Sequence, residues 1–233
     1  MKAALAEAGF VRWPGVLDAE ACDDLRALFD SHANDRPGVR IDPADCATLA
    51  AYRAVAPTLR ALLGPRARPV RALLFEKRDG INWALGWHQD RTIEVVERVD
   101  VPDYGPWTVK QGRIHVAPPI GLLAAMLTVR LHLDPVPCDN APLLVAPGSH
   151  RLGLVAENAI DAVVARCGTA TCLAEAGQAW IYATPILHAS ARSTSGGRRR
   201  VLQFDVAACD LPGGLRWAAD ARERALEGRP ASA

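Results

Sequence analysis

Several common signposts are missing from this sequence. Its six cysteines (Cys22, Cys46, Cys138, Cys167, Cys172 and Cys209) include no C-x-x-C pair, so a disulfide framework is not expected and reduced thiols that pack as small hydrophobes are. No apolar run is long enough to span a bilayer. The opening "MKAALAEAGFVRWPG" lacks a charged segment followed by a long apolar stretch, and a cytoplasmic protein is the expectation. A surplus of charge is also missing: 27 basic residues face 26 acidic ones, for a net charge of +1. That balance argues against a nucleic-acid partner or an acidic membrane surface. The densest basic run, Arg198 to Arg200, is too short for a polybasic patch. Internal repeats and low-complexity tracts are absent.

What the chain does have is apolar mass. Half of its 233 residues are hydrophobic, enough for a substantial core in one domain. The pattern divides it into a helical part (1–66), a strand-rich core (67–210) with a long loop (91–120), and a tail (211–233). In the first part, "DAEACDDLRALFDSH" (18–32) starts on Asp18 as a helix cap and repeats apolar residues at helical spacing. The stretch 43–64 predicts a second helix, broken at Pro57 and stopped by Gly64.

Short strands follow. "PVRALLFEK" (69–77) is apolar and bounded by Pro and charge. "MLTVRLHLD" (126–134) alternates Leu127, Val129, Leu131 and Leu133 with Thr128, Arg130 and His132, the pattern of a half-buried strand. "LLVAPGSH" (143–150), "GQAWIYA" (177–183) and "RRVLQFDVAA" (199–208) add three more. The segment 91–120 looks irregular, as a lid or binding loop would. In the tail, "ADARERALEG" predicts a short helix. Short strands after a helical start predict a mainly β fold, a double-stranded β-helix (jelly-roll, cupin-like) with helices packed outside.

The chemistry concentrates at "GWHQDRT" (86–92). His88 and Asp90, two apart on an extended segment, point the same way. Alone, an H-x-D is too permissive to assign. A non-haem Fe(II) site needs two imidazoles and a carboxylate on one face of the metal, and His188, just past the 177–183 strand, supplies the missing imidazole. Eleven residues on, Arg199 opens the next strand. A dicarboxylate such as 2-oxoglutarate chelates iron at one end and needs a planar, permanently charged fork at the other, which arginine provides. A slip to Arg198 or Arg200 remains open in principle; the "RRVL" that follows favours Arg199, because alternate strand residues face opposite sides.

The pieces "WHQD" (87–90), "LTVRLHLDPVPCDNAPLLVAPGSHRLG" (127–153) and "HASARSTSGGRRRVL" (188–202), with the opening "LAEAGFVRWPGVLDAEACDDLRALF", resemble the phytanoyl-CoA dioxygenase-like family of Fe(II)/2-oxoglutarate-dependent oxygenases. The resemblance covers most of residues 5–208. It implies His88, Asp90 and His188 as iron ligands and Arg199 as the anchor of the distal carboxylate of 2-oxoglutarate. It further implies Ser190 as a hydroxyl supporting that anchor and Lys77 as a second cosubstrate contact. Two positions depart from the family's habit. Ser193 stands where an asparagine is usual, and Asn140-Ala141 stands where Asn-Gly is usual. Asp90 is kept, unlike in halogenating relatives that vacate this position for chloride.

The implied activity is a dioxygenase reaction using Fe(II), 2-oxoglutarate and O2, most simply hydroxylation of an unactivated C–H in a small or medium metabolite. Desaturation or cyclisation on the same iron would use the same ligands. A cupin-like metalloenzyme without 2-oxoglutarate would have no use for Arg199. Substrate contacts are expected from Trp87, Trp107, Lys110 and Arg113 in and before the loop, and from Thr128, Arg130 and His132 on the polar strand face. An ordinary polar face or a solvated loop satisfies the same patterns. The expected partner is a small molecule; the oligomeric state is open.

Overall fold

A computed structural model describes residues 1–32 and 36–221. In chain order, α1 (Lys2–Glu7) and β1 (Phe10–Trp13) lead to α2 (Ala19–Ser31) and β2 (Gly38–Ile41). Next come α3 (Pro43–Thr48), α4 (Ala50–Leu63), β3 (Arg68–Lys77), β4 (Leu85–His88) and β5 (Ile93–Val95). Then follow β6 (Trp107–Lys110), β7 (Arg113–Val116), α5 (Ile120–Ala124), β8 (Leu127–His132) and β9 (Leu143–Val145). The chain closes with α6 (Ile160–Cys167), β10 (Ala170–Cys172), β11 (Ala179–Ala183), β12 (His188–Ser190) and β13 (Arg199–Ala207).

The strands form a six-stranded sheet (β1-β11-β8-β13-β3-β2), a four-stranded sheet (β10-β9-β12-β4) and a three-stranded sheet (β5-β7-β6). All pairings between named strands are antiparallel. This is the expected jelly-roll architecture, with the two larger sheets facing each other.

Helices α2 and α4 cover the outer face of the six-stranded sheet. Leu25, Phe29, Tyr52, Val55 and Leu59 pack with Val129, Leu131, Leu202 and Phe204 in one buried cluster. The Tyr52 and Phe204 rings meet edge to face with centroids 5.6 Å apart, a favoured aromatic geometry. As the sequence predicts, Asp18 caps α2, its carboxylate accepting from the Ala21 N–H at 2.9 Å. That bond satisfies one of the otherwise orphaned donors of the first turn.

Four expectations need correction. The helical stretch 43–64 breaks at Leu49, not Pro57. Leu49 is extended (ψ 139°) while Pro57 sits inside α4. Pro57 lies on the exposed side of α4, where the Arg53 carbonyl it leaves without an intrahelical donor can face solvent. The N-terminal third is not only helical: β1 and β2 form the two edges of the six-stranded sheet. The 126–134 strand is buried on both faces, because helices cover one and the facing sheet covers the other. The segment 91–120 is not irregular, since it folds into the three-stranded sheet. Its strands are three or four residues long and too short for a periodic signal. In the tail, a 3-10 turn spans Ala218–Asp220, and the rest of the expected helix lies outside the described residues.

Candidate metal centre

β4 and β12 are neighbours, and their pairing sets His88 directly opposite His188. Their ring centroids are 4.2 Å apart. Asp90 follows β4 by two residues, and ligating atoms of His88, Asp90 and His188 all lie within 4.8 Å of one another. Between the first two, Gln89 turns the opposite way. Its amide donates to the carbonyls of Gly153 (2.9 Å) and Pro185 (2.7 Å) and accepts from the Val155 N–H (2.9 Å). Pinning the middle residue of H-Q-D on one side holds both flanking side chains on the other.

Each imidazole is oriented from behind. The Nδ1 of His88 lies 2.8 Å from the Gly86 carbonyl, and that of His188 lies 3.0 Å from the Ile186 carbonyl. A carbonyl can only accept, so Nδ1 carries the proton and Nε2 is left as a lone-pair donor. This is how ligating histidines are generally held. Burial and then the neighbouring His88 lower the pKa of His188 to about 4, keeping it neutral and able to ligate. The PGSH turn supports the same strand from outside. Ser149 Oγ accepts the Leu187 N–H at 2.9 Å, beside His188. His150 packs under Gly9, where an added Cβ would stand 2.3 Å from its ring.

Arg71, which drew no notice in the sequence, completes the centre. From β3 its Nη2 reaches Asp90 Oδ2 at 2.9 Å, and its Nε lies 2.6 Å from Asp205 Oδ2. Burial opposes ionisation of Asp90, but Arg71 and then the two histidines outweigh it and hold the carboxyl well below its usual range. Asp205 goes the other way, its pKa raised chiefly by burial despite Arg71. A lone arginine in an apolar strand gives no hint that it crosses to a ligand nineteen residues away. Two imidazoles and one ionised carboxylate on one wall are a donor set suited to a divalent transition metal with open positions.

Beside this wall lies a cavity of about 620 Å³. His88, Asp90, His188, Ser190, Arg130 and Lys110 are on its surface. Behind Ser190 stand two fully buried cations. Lys77 donates to Ser190 Oγ (3.2 Å) and to the Ala191 carbonyl. Arg199 donates to the Ala141 carbonyl and to Ser190 Oγ (3.3 Å). The register pairs Arg199 with Lys77 across β13 and β3. Arg130 lies in front, its Nη1 2.9 Å from Gln203 Oε1. Among the described residues none of these three cations has a carboxylate within ion-pair distance, and Nε of Arg199 and of Arg130 has no acceptor. Burial, then Arg199 and Arg130, push the pKa of Lys77 down to about 7. Arg198 and Arg200 face elsewhere, Arg198 towards Glu76 and Asp30 and Arg200 towards Asp134.

The remaining expected contacts are spread out. Lys110 and Arg130 line the cavity. Trp87 borders a separate groove with Arg91 and Glu157. Trp107 packs in the apolar cluster beneath the three-stranded sheet, with Arg98 over its ring at 5.5 Å. Arg113 is held by Glu94 at 2.7 Å. Thr128 donates to Asp205 at 3.0 Å, and His132 is fully buried behind the cavity wall. Trp107, Arg113, Thr128 and His132 are engaged or enclosed elsewhere and do not line the cavity, whereas the groove that Trp87 borders also touches His88. Conversely, Arg40, Gln111 and Gln203 line the cavity without having been expected to; short strands and long-range pairing gave no local signal.

The profile of the phytanoyl-CoA dioxygenase (PhyH) family matches residues 5–201. No curated protein matches the sequence. Among solved structures, EctD from S. alaskensis with bound Fe superposes with a TM-score of 0.67 at 18% identity, covering 89% of this chain and 75% of that one. SnoN, a non-heme alpha ketoglutarate dependent epimerase from nogalamycin biosynthesis, gives 0.64 at 16% identity over 99% and 90%. HygX from Streptomyces hygroscopicus with nickel and 2-oxoglutarate bound gives 0.58 at 14% identity over 87% and 83%. At such identities the similarity is one of fold.

Proposed function

The chain belongs to the phytanoyl-CoA dioxygenase family, and on that premise we propose that it is an Fe(II)/2-oxoglutarate-dependent dioxygenase that hydroxylates an unactivated C–H of a small or medium metabolite. His88, Asp90 and His188 hold the iron. Arg199, Ser190 and Lys77 receive the distal carboxylate of 2-oxoglutarate, joined by Arg130 on the cavity wall. Iron held there, with 2-oxoglutarate and dioxygen, would supply the oxidant, the keto acid being converted to succinate and carbon dioxide.

One observation carries this reading. Two buried guanidiniums, Arg199 and Arg130, and the buried Lys77 amine stand beside the metal ligands with no acid among the described residues to balance them. Buried charge without a counter-ion is costly, so such a cluster is a site prepared for an anion. A cupin-like enzyme that works without a keto acid would have no reason to keep it. The protein's own part is to fix both imidazole tautomers, to hold Asp90 ionised through Arg71, and to present the anion cradle.

An anaerobic titration of metal-free protein with Fe(II) and then 2-oxoglutarate tests it, followed by the visible charge-transfer band of a chelated keto acid. The band should vanish in His88→Ala and should need at least tenfold more 2-oxoglutarate in Arg199→Ala. Iron binding without any band in the wild type would overturn the 2-oxoglutarate assignment.

A further inference from the structure

The cavity has a second cationic end that the cosubstrate does not account for. At its mouth, the β6–β7 turn brings Lys110 and Gln111 against β2, where Gln111 donates to the Gly38 carbonyl at 3.2 Å. Arg36 lines the cavity there, and four further cations gather with three acids. Arg71 is held by Asp90 and Asp205. Arg40 and Arg113 share the one buried carboxylate of Glu94, at 3.3 and 2.7 Å. Lys110 is left over, and the partner within reach of its ammonium is the Thr92 hydroxyl at 3.1 Å. Lys110 is exposed at the rim, and partial desolvation, then Arg71, lowers its pKa although Asp90 pulls the other way. If Asp90 also serves a metal, the shortage of negative charge at this end grows.

One wall of the cavity is different in kind. Leu73 and Phe75 from β3, Leu85 from β4 and Leu143 from β9 line it. Leu85 and Leu143 are the cross-strand partners of Ser190, and Leu85, 48% exposed, is a large apolar side chain left uncovered at that end. The space is therefore apolar along one side, with cations at the Ser190 end and a cation at the Lys110 end.

We propose that the substrate is a carboxylate with an apolar body, its acid group received by Lys110 at the mouth and its chain laid along Leu73 and Phe75 towards the metal ligands. This rests on the function proposed above, since it assigns the Ser190 end to the cosubstrate. A cavity of about 620 Å³ has room for a medium-sized acid beside a five-carbon dicarboxylate. A free carboxylate suits Lys110, a compact point charge, whereas a bulkier polyanion would call for a cluster of forked guanidiniums. Arg40 and Arg113 are already committed to Glu94.

The test compares octanoate with octanamide, which share shape but not charge. Calorimetric titrations use protein loaded anaerobically with Fe(II) and 2-oxoglutarate, and metal-free protein in parallel. Octanoate is expected to bind at least tenfold tighter than octanamide to the wild type. Lys110→Gln should abolish that preference, Lys110→Arg should keep most of it, and 2-oxoglutarate should bind both variants within twofold of wild type. Octanamide binding as well as octanoate, or neither binding, overturns the proposal. So does a loss of 2-oxoglutarate affinity in Lys110→Gln that matches the loss for octanoate, because the mouth would then be the cosubstrate site. Failure of 2-oxoglutarate to bind the Fe(II) protein refutes the parent function instead. The acid-versus-amide comparison on metal-free protein still decides the role of Lys110.

Discussion

The two faces of strands β8 and β13 are both buried, yet they are built on opposite principles. On the helix side stand Val129, Leu131, Leu202, Phe204 and Val206, closed into one apolar cluster. On the other side stand Thr128, Arg130, His132, Gln203 and Asp205, within the jelly roll and equally enclosed. The first face gains by excluding water. The second pays for desolvated polar groups and leaves both ring nitrogens of His132 and Nε of Arg130 without partners. One pair of strands thus carries the stability on one side and, on the proposed function, the binding chemistry on the other. The difference predicts that damage to either face will show in a different measurement.

The largest effect should come from the apolar face. Phe204→Ala removes a fully buried ring that meets Tyr52 edge to face, and such a truncation costs about 3–5 kcal/mol of stability. Urea unfolding should show that loss, while the fraction that remains folded binds 2-oxoglutarate as before. Arg199→Met inverts the pattern. It replaces a buried, acid-free cation with an apolar chain, so stability should hold or rise. Cosubstrate affinity should fall by about 10- to 100-fold, since a hydrogen bond to a charged group is worth about 1.5–3 kcal/mol. If Arg199→Met unfolds the protein, the division between the faces is wrong.

Arg71 sharpens the comparison because it belongs to the polar face but touches a metal ligand. Arg71→Gln should weaken Fe(II) or Co(II) binding by about 10- to 100-fold, as loss of a group supporting a ligand generally does. The Co(II) visible spectrum reads this without turnover. Removing this guanidinium also leaves Asp205 buried without its charge partner, so some stability goes too. An unchanged metal affinity would show that Arg71 serves the sheet alone.

How much of this was visible in the sequence follows from distance along the chain. His88 and Asp90 are on one segment, and His188 and Arg199 open two strands near the end, so residue type and spacing single them out as candidates. The jelly roll was visible in the short strands for the same reason. Arg71, Arg40 and Glu94 were hidden. Their meaning lies in partners on other strands, and nothing within ten residues of any of them announces the pairing. The three-stranded sheet in 91–120 was missed because strands of three and four residues carry no period. Leu49 was missed because the break in 43–64 comes from an extended backbone at an ordinary leucine, while the conspicuous proline sits harmlessly on the exposed side.

Lys77 allows the polar face to be followed by pH. Its pKa falls from 10.5 to about 7, first by burial and then through Arg199 and Arg130. Between those values the unfolded chain holds the proton and the folded one does not. Stability of the ligand-free protein should therefore rise with pH from about 7 towards 10.5, as linkage requires when the unfolded state binds more protons. A bound dicarboxylate favours the ammonium and restores the proton. Titrations of 2-oxoglutarate in buffers of different ionisation enthalpy should show uptake approaching one proton at pH 8.5 and almost none at pH 6. Lys77→Met should show none at either pH. Equal uptake in the variant would assign the proton to another group.

The smallest effect lies where the two faces share a turn. Ala141 is buried with φ at 50°, a left-handed conformation that an L side chain resists by about 1–2 kcal/mol. Its carbonyl accepts from both Arg199 and Ser190, so the strained residue holds the cation cradle in place. Ala141→Gly relieves the strain but frees the unfolded chain, an opposing term of about 0.4–1 kcal/mol. The net gain should be under about 1 kcal/mol, a rise of a few degrees in Tm at most. Cosubstrate affinity distinguishes two roles for the alanine. If it stays within twofold, the hydrogen bonds of Arg199 and Ser190 fix the carbonyl unaided. If it drops by more than that while Tm rises, the alanine side chain is itself what keeps the acceptor aimed, and here the polar face takes its order from a strained backbone.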